Sequence, residues 1–258
     1  MKIATYNVNN INKRLVPFGA WLKRAKPDVV CLQELKCEQG AFPDQQFRKL
    51  GYRSVWKGQR SWNGVAILAR GVEPVLTADR LPGDEGDKQS RYIEAAVKGI
   101  VVGCIYAPNG NPQPGPKFDY KLAWLERLIR HARKLKQADV PVVLAGDLNV
   151  VPTEFDIYGK HSYGDDALLQ PQPRTAFKRL IRQGWTDAVR TLYVDEPQFS
   201  YWSYMRNRWP RDAGLRLDVL LLSKHCAPRL AAAGVDRWVR GEPDASDHAP
   251  VWAKLEAE

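Results

Sequence analysis

The chain has 258 residues and a formal net charge of +10, from 39 Lys and Arg against 29 Asp and Glu. A hydrophobic content of 44%, with nine Trp and ten Tyr, supplies a packed core and excludes a disordered chain. No apolar run approaches the ~18–20 residues of a membrane span, and the basic excess points to a polyanionic partner, of which nucleic acid is the commonest.

The sequence opens on a strand, Lys2–Val8, with no apolar targeting segment before it. Leu15, Phe18, Leu22 and Ala25 share one face of a helix over Leu15–Ala25, which Pro27-Asp28 breaks before strand Val29–Gln33. A short helix, Pro43–Leu50, precedes antiparallel strands Tyr52–Trp56, Gly64–Ala69 and Glu73–Leu76. A polar loop covers Leu81–Ser90, and Tyr92–Val97 and Val101–Tyr106 form a hairpin turned at Lys98-Gly99. Pro116 starts the longest helix, running to Gln137, with Phe118, Leu122, Leu125, Ile129 and Ala132 as its core stripe. Lys117, Lys121, Arg127, Arg130 and Lys134 occupy the opposite face, which reads as solvated. Pro141–Val150 is an unbroken apolar strand, buried on both faces. A long loop, Val151–Arg174, leads to helix Thr175–Gln183, with Trp185–Val189 as its continuation or a turn; strands Leu215–Leu222, Gly234–Arg240 and Ala249–Leu255 complete the chain. No repeat, linker or low-complexity tract divides it, so residues 1–258 read as a single domain. Hairpins alternating with helical crossovers predict a layered α/β sandwich of two mixed sheets with helices outside.

None of Cys31, Cys37, Cys104 and Cys226 belongs to a Cys-x-x-Cys pair, and Cys31 and Cys104 lie inside apolar strands. Buried, reduced thiols and a cytoplasmic location are expected.

Polar groups gather at the ends of apolar runs. Asn7 and Asn9 lie at the end of the first strand, Gln33 and Glu34 close the second, Asp147 and Asn149 close Pro141–Val150, and Asp247-His248 precede the last. Sheets that converge strand ends on one rim build sites this way. A set of Asn, Glu, Asp and His without a cysteine pair suits a hard divalent cation and a phosphate better than zinc. Asp147 and Asn149, two apart, share one face if the strand continues through them; an Asx turn closing the strand is the alternative. His248 needs a second carboxylate to fix its tautomer. Asp218, embedded in an apolar strand, is the candidate, unless backbone amides or Arg216 satisfy it.

Tyr6-Asn7-Val8-Asn9, Leu32-Gln33-Glu34-Leu35-Lys36, Asn63-Gly64-Val65-Ala66, Tyr106-Ala107-Pro108-Asn109-Gly110, Gly146-Asp147-Leu148-Asn149, Leu215-Arg216-Leu217-Asp218 and Ser246-Asp247-His248-Ala249-Pro250 occur in this order. Together they resemble the exonuclease III family of apurinic/apyrimidinic endonucleases, within the endonuclease–exonuclease–phosphatase superfamily, across essentially the whole chain. The resemblance implies a four-layer α/β sandwich and Mg²⁺-dependent cleavage of a DNA phosphodiester, with Mn²⁺ as a substitute. Glu34 would be the principal metal ligand, with Asn7 and Asp247 close by; Asp147, assisted by Asn149, would orient or deprotonate the attacking water. His248, held by Asp218, would bind the scissile phosphate together with Tyr106 and Asn109. The expected substrates are duplex DNA with abasic sites or blocked 3′ ends, handled by a monomer. Tyr6 stands where the family usually has Trp, and Leu215 where its animal branch has Trp.

Residues 199–211 are dense in aromatics and arginine. Trp202 reads as core. Trp209, flanked by Arg208, Pro210 and Arg211, reads as an exposed loop tip suited to stacking on DNA. Tyr201, Trp209 and Leu215 are expected to wall the pocket for a baseless sugar; the resemblance makes Arg91 the leading phosphate contact, while Lys36 and Arg60 read first as solvated charges. A phosphatase or phospholipase of the same superfamily is the alternative enzyme reading. A catalytically inactive nucleic-acid-binding regulator is the third, and the retained polar residues argue against it.

Overall fold

The computed structural model describes residues 1–159 and 163–257. Strands β1 (Lys2–Asn7), β2 (Val29–Gln33), β3 (Tyr52–Lys57), β4 (Val65–Arg70), β11 (Leu230–Val235) and β12 (Val251–Leu255) form one sheet in the order β11-β12-β1-β2-β4-β3. Strands β5 (Val75–Ala78), β6 (Tyr92–Val97), β7 (Ile100–Tyr106), β8 (Val142–Asp147), β9 (Thr186–Asp187) and β10 (Asp218–Leu222) form the other, ordered β5-β6-β7-β8-β10-β9. Each sheet holds one parallel pair, β1 with β2 and β7 with β8, joined by the crossovers that carry α1 (Leu15–Ala25) and α3 (Pro116–Gln137). All other pairings are antiparallel.

Strand side chains alternate between two apolar layers. Ile3, Cys31, Ile67 and Val251 of the first sheet meet Ile93, Cys104, Val143 and Leu220 of the second in a central core. The opposite face of the first sheet is covered by Phe18, Trp21 and Leu22 of α1 and Phe47 of α2 (Asp44–Lys49). That of the second is covered by Trp124, Leu125 and Leu128 of α3 and by Phe177 and Leu180 of α4 (Pro171–Arg182). The result is the expected four-layer sandwich of two mixed sheets. All four cysteines are buried, and none is joined in a disulfide among the described residues. Among the described residues no helix is long and apolar enough to cross a membrane.

Several expectations need correction. Lys121 and Arg127, placed on the solvated face of α3, are 0% and 5% exposed, because loops fold over that face. Arg127 bonds Asp87, and Lys121 reaches backbone carbonyls. The strand read at Gly234–Arg240 lies earlier, at Leu230–Val235, in an alanine-rich stretch that pairs with β12; Arg237–Gly241 is a 3-10 turn laid on the first sheet. Of Leu215–Leu222, only Asp218–Leu222 belongs to the sheet. Trp185–Val189 divides into β9 and the start of α5 (Ala188–Leu192).

One buried ion network ties the loop after β8 to the edge of the second sheet. Arg216, 1% exposed, donates to Asp156 Oδ1 at 2.6 Å and to Asp187 Oδ2 at 2.8 Å, and Arg190 Nη2 bonds Asp156 Oδ1 at 2.5 Å. Burial pushes the Asp156 carboxyl up, but Arg216, Thr153 and Arg190 outweigh it and hold the carboxyl below its usual range. Removing one partner strands a buried charge, so Asp156→Ala is expected to lower unfolding free energy by about 3–5 kcal/mol, measured by urea titration. Because the folded-state pKa is depressed, this contribution is present above the ordinary carboxylate range, near ~4, and is lost as pH falls through the folded value. Stability of the parent should therefore fall more steeply on acidification than that of the variant. Equal urea midpoints would overturn the assignment.

Candidate active site

The strand pairings bring the polar clusters to one edge. Asn7 ends β1 beside Gln33 of β2, and Glu34 follows directly. Tyr106 and Asp147 end the parallel pair β7 and β8 in register, and Asp218 lies opposite Asp147 at the start of β10. Asp247 and His248 precede β12. A cleft of about 140 Å³ opens between the two sheets, lined by Glu34, Tyr106, Asn109, Asp147, Asn149, Leu168, Tyr201, Leu217, Asp247 and His248.

Glu34 turns out of its strand at a φ of 53°. Its Oε1 accepts from Asn7 Nδ2 at 2.9 Å and from the Tyr106 hydroxyl at 3.0 Å. Lys36 Nζ lies 2.9 Å from its Oε2. Burial pushes the Glu34 carboxyl up, but the Lys36 ammonium and the Asn7 amide outweigh it and keep the group ionised. Burial and the neighbouring Glu34 drive the Tyr106 phenol well above its ordinary range, so it stays a donor. The Asn7 amide also donates to Asp147 Oδ2 at 3.0 Å, so one carboxamide bridges the acids of both sheets.

Asp147 ends its strand in an Asx turn: its Oδ1 accepts the Asn149 backbone N–H at 2.9 Å, and Asn149 sits at a φ of 51°. The turn, not strand alternation, brings Asn149 into the cleft, and its side chain is fixed by a 2.9 Å bond to the Ala107 carbonyl. Gly146 is required by the pairing, since a Cβ there would lie 1.9 Å from the Ile105 carbonyl oxygen.

His248 Nδ1 bonds Asp218 Oδ2 at 2.8 Å, which fixes the ring and turns Nε2 towards Asp147 Oδ2, 3.8 Å away. The Ser200 hydroxyl donates to the same Asp218 oxygen at 2.6 Å while accepting the backbone N–H groups of Leu217 and Asp218. Burial works against charge on the imidazole, but Asp218, Asp147 and Asp247 outweigh it and push its pKa up to about 10. Burial pushes the Asp147 carboxyl up to about 7; the positive His248 opposes the rise, and Asp218 and Glu34 reinforce it. The dyad thus presents a cationic donor at Nε2, facing an acid poised near neutrality.

Oxygen donors at Glu34, Asp247, Asp147 and Asn7 suit a hard divalent cation. Asp147, Asp218 and His248 also offer ligand atoms within 4.8 Å of one another, but Asp218 and His248 are already bonded to each other. Glu34 and Asp247 line the same cleft. Asn7 directs its amide nitrogen at both acids and its oxygen at the Asn9 N–H, so as placed it is a bridge before it is a ligand. Asp247 Oδ1 accepts from Asn9 Nδ2 at 3.0 Å.

The outer residues divide. Tyr201 lies in the cleft, its ring centroid 4.9 Å from that of His248. Leu215 stands behind it, 1% exposed, and Leu168 and Leu217 line the cleft instead. Trp209 is not an exposed loop tip: it packs edge-on against Trp202 at 4.9 Å, and Tyr204 and Met205 are the exposed large apolar side chains of that segment. Arg91 stacks over the Tyr106 ring at 4.7 Å and lines a neighbouring groove of about 630 Å³, which shares Tyr106 and Asn109 with the cleft. Lys36 is occupied by Glu34 and Asn9, and Arg60 is an exposed partner of Glu38. Sequence reasoning missed Ser200, and it missed Trp62, which is 69% exposed on the groove wall. Only the position of Trp62 beside Asn63-Gly64 hinted at it.

Residues 4–248 match the model of the endonuclease/exonuclease/phosphatase family, and the chain belongs to that family. It is similar to a DNA repair nuclease, APEX1, of Danio rerio, 31% identical over 97% of this chain and 81% of the relative. It is similar also to an exodeoxyribonuclease of Bacillus subtilis, 30% identical over 97% and 98%. Among solved structures, a 3′-5′ exonuclease (NExo) of Neisseria meningitidis superposes with a TM-score of 0.96 at 34% identity, and an AP endonuclease of Archaeoglobus fulgidus with 0.94 at 33%, each covering 100% of both chains. Within the family the chain falls in the exodeoxyribonuclease III branch, whose members are nucleases.

Proposed function

We propose that this protein is a Mg²⁺-dependent DNA repair nuclease. It hydrolyses the phosphodiester on the 5′ side of abasic sites and clears blocked 3′ ends by phosphodiesterase, phosphatase and 3′-5′ exonuclease action. The observation that carries this reading is the His248–Asp218 dyad facing Asp147 and Glu34 across one narrow cleft, with the Asn7 amide tying the acids together. A bound divalent ion supplies neutralisation of phosphoryl charge and a more acidic water. The chain's own groups do the rest. His248 Nε2 donates to a non-bridging phosphate oxygen, Tyr106 and Asn109 hold the same phosphate, and Asp147 aligns the water and accepts its proton. The relatives support the substrate: one is a 3′ phosphatase bound to a product DNA hairpin. The net charge of +10 supports a polyanion, and four buried thiols outside any disulfide support a reducing, cytoplasmic setting, with the whole chain working as one monomeric domain.

The test is a labelled duplex with a single abasic analogue, incubated with Mg²⁺ or EDTA beside a duplex with a recessed 3′ end, with Glu34→Ala and His248→Ala as controls. Incision at the analogue that needs Mg²⁺ and both side chains is expected. A mononucleotide ladder without incision would make the protein an exonuclease first, and metal-independent cleavage would overturn the scheme.

The groove beside the cleft offers Trp62, Arg91 and Lys117 to the strand leading into it. Stacking on Trp62 predicts that Trp62→Ala weakens duplex binding about 5–10-fold, measured by fluorescence anisotropy in EDTA. Unchanged affinity would remove the groove from the DNA path.

A further inference from the structure

Lys121 is 0% exposed, and among the described residues its ammonium bonds main-chain oxygens and no carboxylate. Its ammonium donates to three backbone carbonyls, of Asn109 at 2.9 Å, Asn149 at 2.6 Å and Ala167 at 3.2 Å. Those carbonyls belong to three separate loops, each bringing a residue to the cleft: Asn109, Asn149 and Leu168. The fit is tight, because a Cβ on Gly110 would lie 2.6 Å from Lys121 Cδ. Above this buried tie, Asn111 makes a second. Its Oδ1 accepts the Ala167 N–H at 3.0 Å and its Nδ2 donates to Asp166 Oδ1 at 2.9 Å. Its backbone N–H and side-chain amide also both donate to Asn109 Oδ1, at 3.1 and 2.9 Å. With its oxygen held this way, the Asn109 amide must present its nitrogen, and that nitrogen points to the Asn149 side, 3.4 Å from Oδ1.

A buried cation whose hydrogen-bonding capacity is fully used by main-chain oxygens has little to offer substrate directly. It can fix only what it holds. From this geometry we infer that Lys121, from below, and Asn111, from above, are positioning residues. They lock the three loops into one wall and orient the Asn109 amide toward the scissile phosphate. The inference rests on the nuclease reading and adds to it the residues that keep its phosphate-binding wall in shape.

A double-mutant cycle tests it. In the parent, Asn109→Ala is expected to lower kcat on the abasic duplex about 10–100-fold, the value of a hydrogen bond to a charged group. In the Lys121→Met background the same change should lower kcat less than about threefold, because the amide is already misplaced, while KM of Lys121→Met stays within about threefold of the parent. If Lys121→Met fails to fold, Asn111→Ala carries the cycle. An undiminished effect of Asn109→Ala in either folded background, or a parental kcat for Lys121→Met, would overturn the role. Hydrogen exchange gives a readout that needs no catalysis: in each variant, protection of residues 107–111 and 165–169 should fall together. Loss confined to one loop would refute the single wall. Absence of hydrolysis by the parent on every DNA substrate would sink the nuclease reading alone and leave the exchange result to judge the wall.

Discussion

His248→Ala is expected to lower kcat by about 10²–10⁴-fold on both abasic and 3′-blocked duplexes, with a much smaller change in KM. The imidazole combines two effects in one group. Asp218 fixes its orientation through Nδ1, and Ser200 fixes Asp218 in turn, so Nε2 is aimed without reorganisation. The surrounding acids favour its protonated form, so in the proposed mechanism the donor is a cation facing the phosphoryl group. Asp218→Asn should keep the ring near its place but remove the charge that favours its protonation. The imidazole pKa should therefore fall, read by NMR titration of the metal-free protein, and kcat with it. Activity of His248→Ala within about tenfold of the parent would leave the dyad a structural pair and end the proposed role.

Glu34→Gln should abolish cation-dependent activity, by at least about 100-fold, while leaving duplex affinity in EDTA unchanged. The substitution preserves shape, and its amide oxygen can still accept from Asn7 and Tyr106 while its nitrogen replaces the Oε2 that pairs with Lys36, so the loss reports the carboxylate charge together with that ion pair. Binding of Mn²⁺, followed by water proton relaxation, should weaken at least about tenfold in the same variant. Retained Mn²⁺ binding would move the metal toward Asp147 and the His248 dyad.

Much of this was legible in the residues. The strand ends that carry Asn7, Glu34 and Asp147 are short apolar runs closed by polar groups, a pattern that buried parallel strands write plainly, and Asp247-His248 lead into the last apolar run. The pairing of Asp218 with His248 followed from the expense of an isolated acid in an apolar strand. What stayed hidden depends on tertiary packing. Lys121 has the periodicity of a solvated face, and only loops from elsewhere in the chain bury it. Ser200 acts through three hydrogen bonds that no local pattern encodes. Trp209 looks like a probe for DNA because arginines flank it, yet Trp202 and Arg240 enclose it. The alanine-rich Leu230–Val235 has a single β-branched residue, Val235, to announce a strand, and is one because β12 lies beside it.

The bridging of two acids from opposite sheets by the Asn7 amide has a biological corollary. Glu34 is supplied by the first half of the chain and Asp147 by the second, while His248 arrives only after β10 has been made. A nascent chain halted at any earlier point therefore owns no complete cutting centre, and neither does a proteolytic fragment bearing one sheet alone. For a protein whose relatives cut DNA, the capacity to sever it is withheld until His248 has been made and both sheets have docked. Recovery of cleavage during refolding should accordingly coincide with the final docking event.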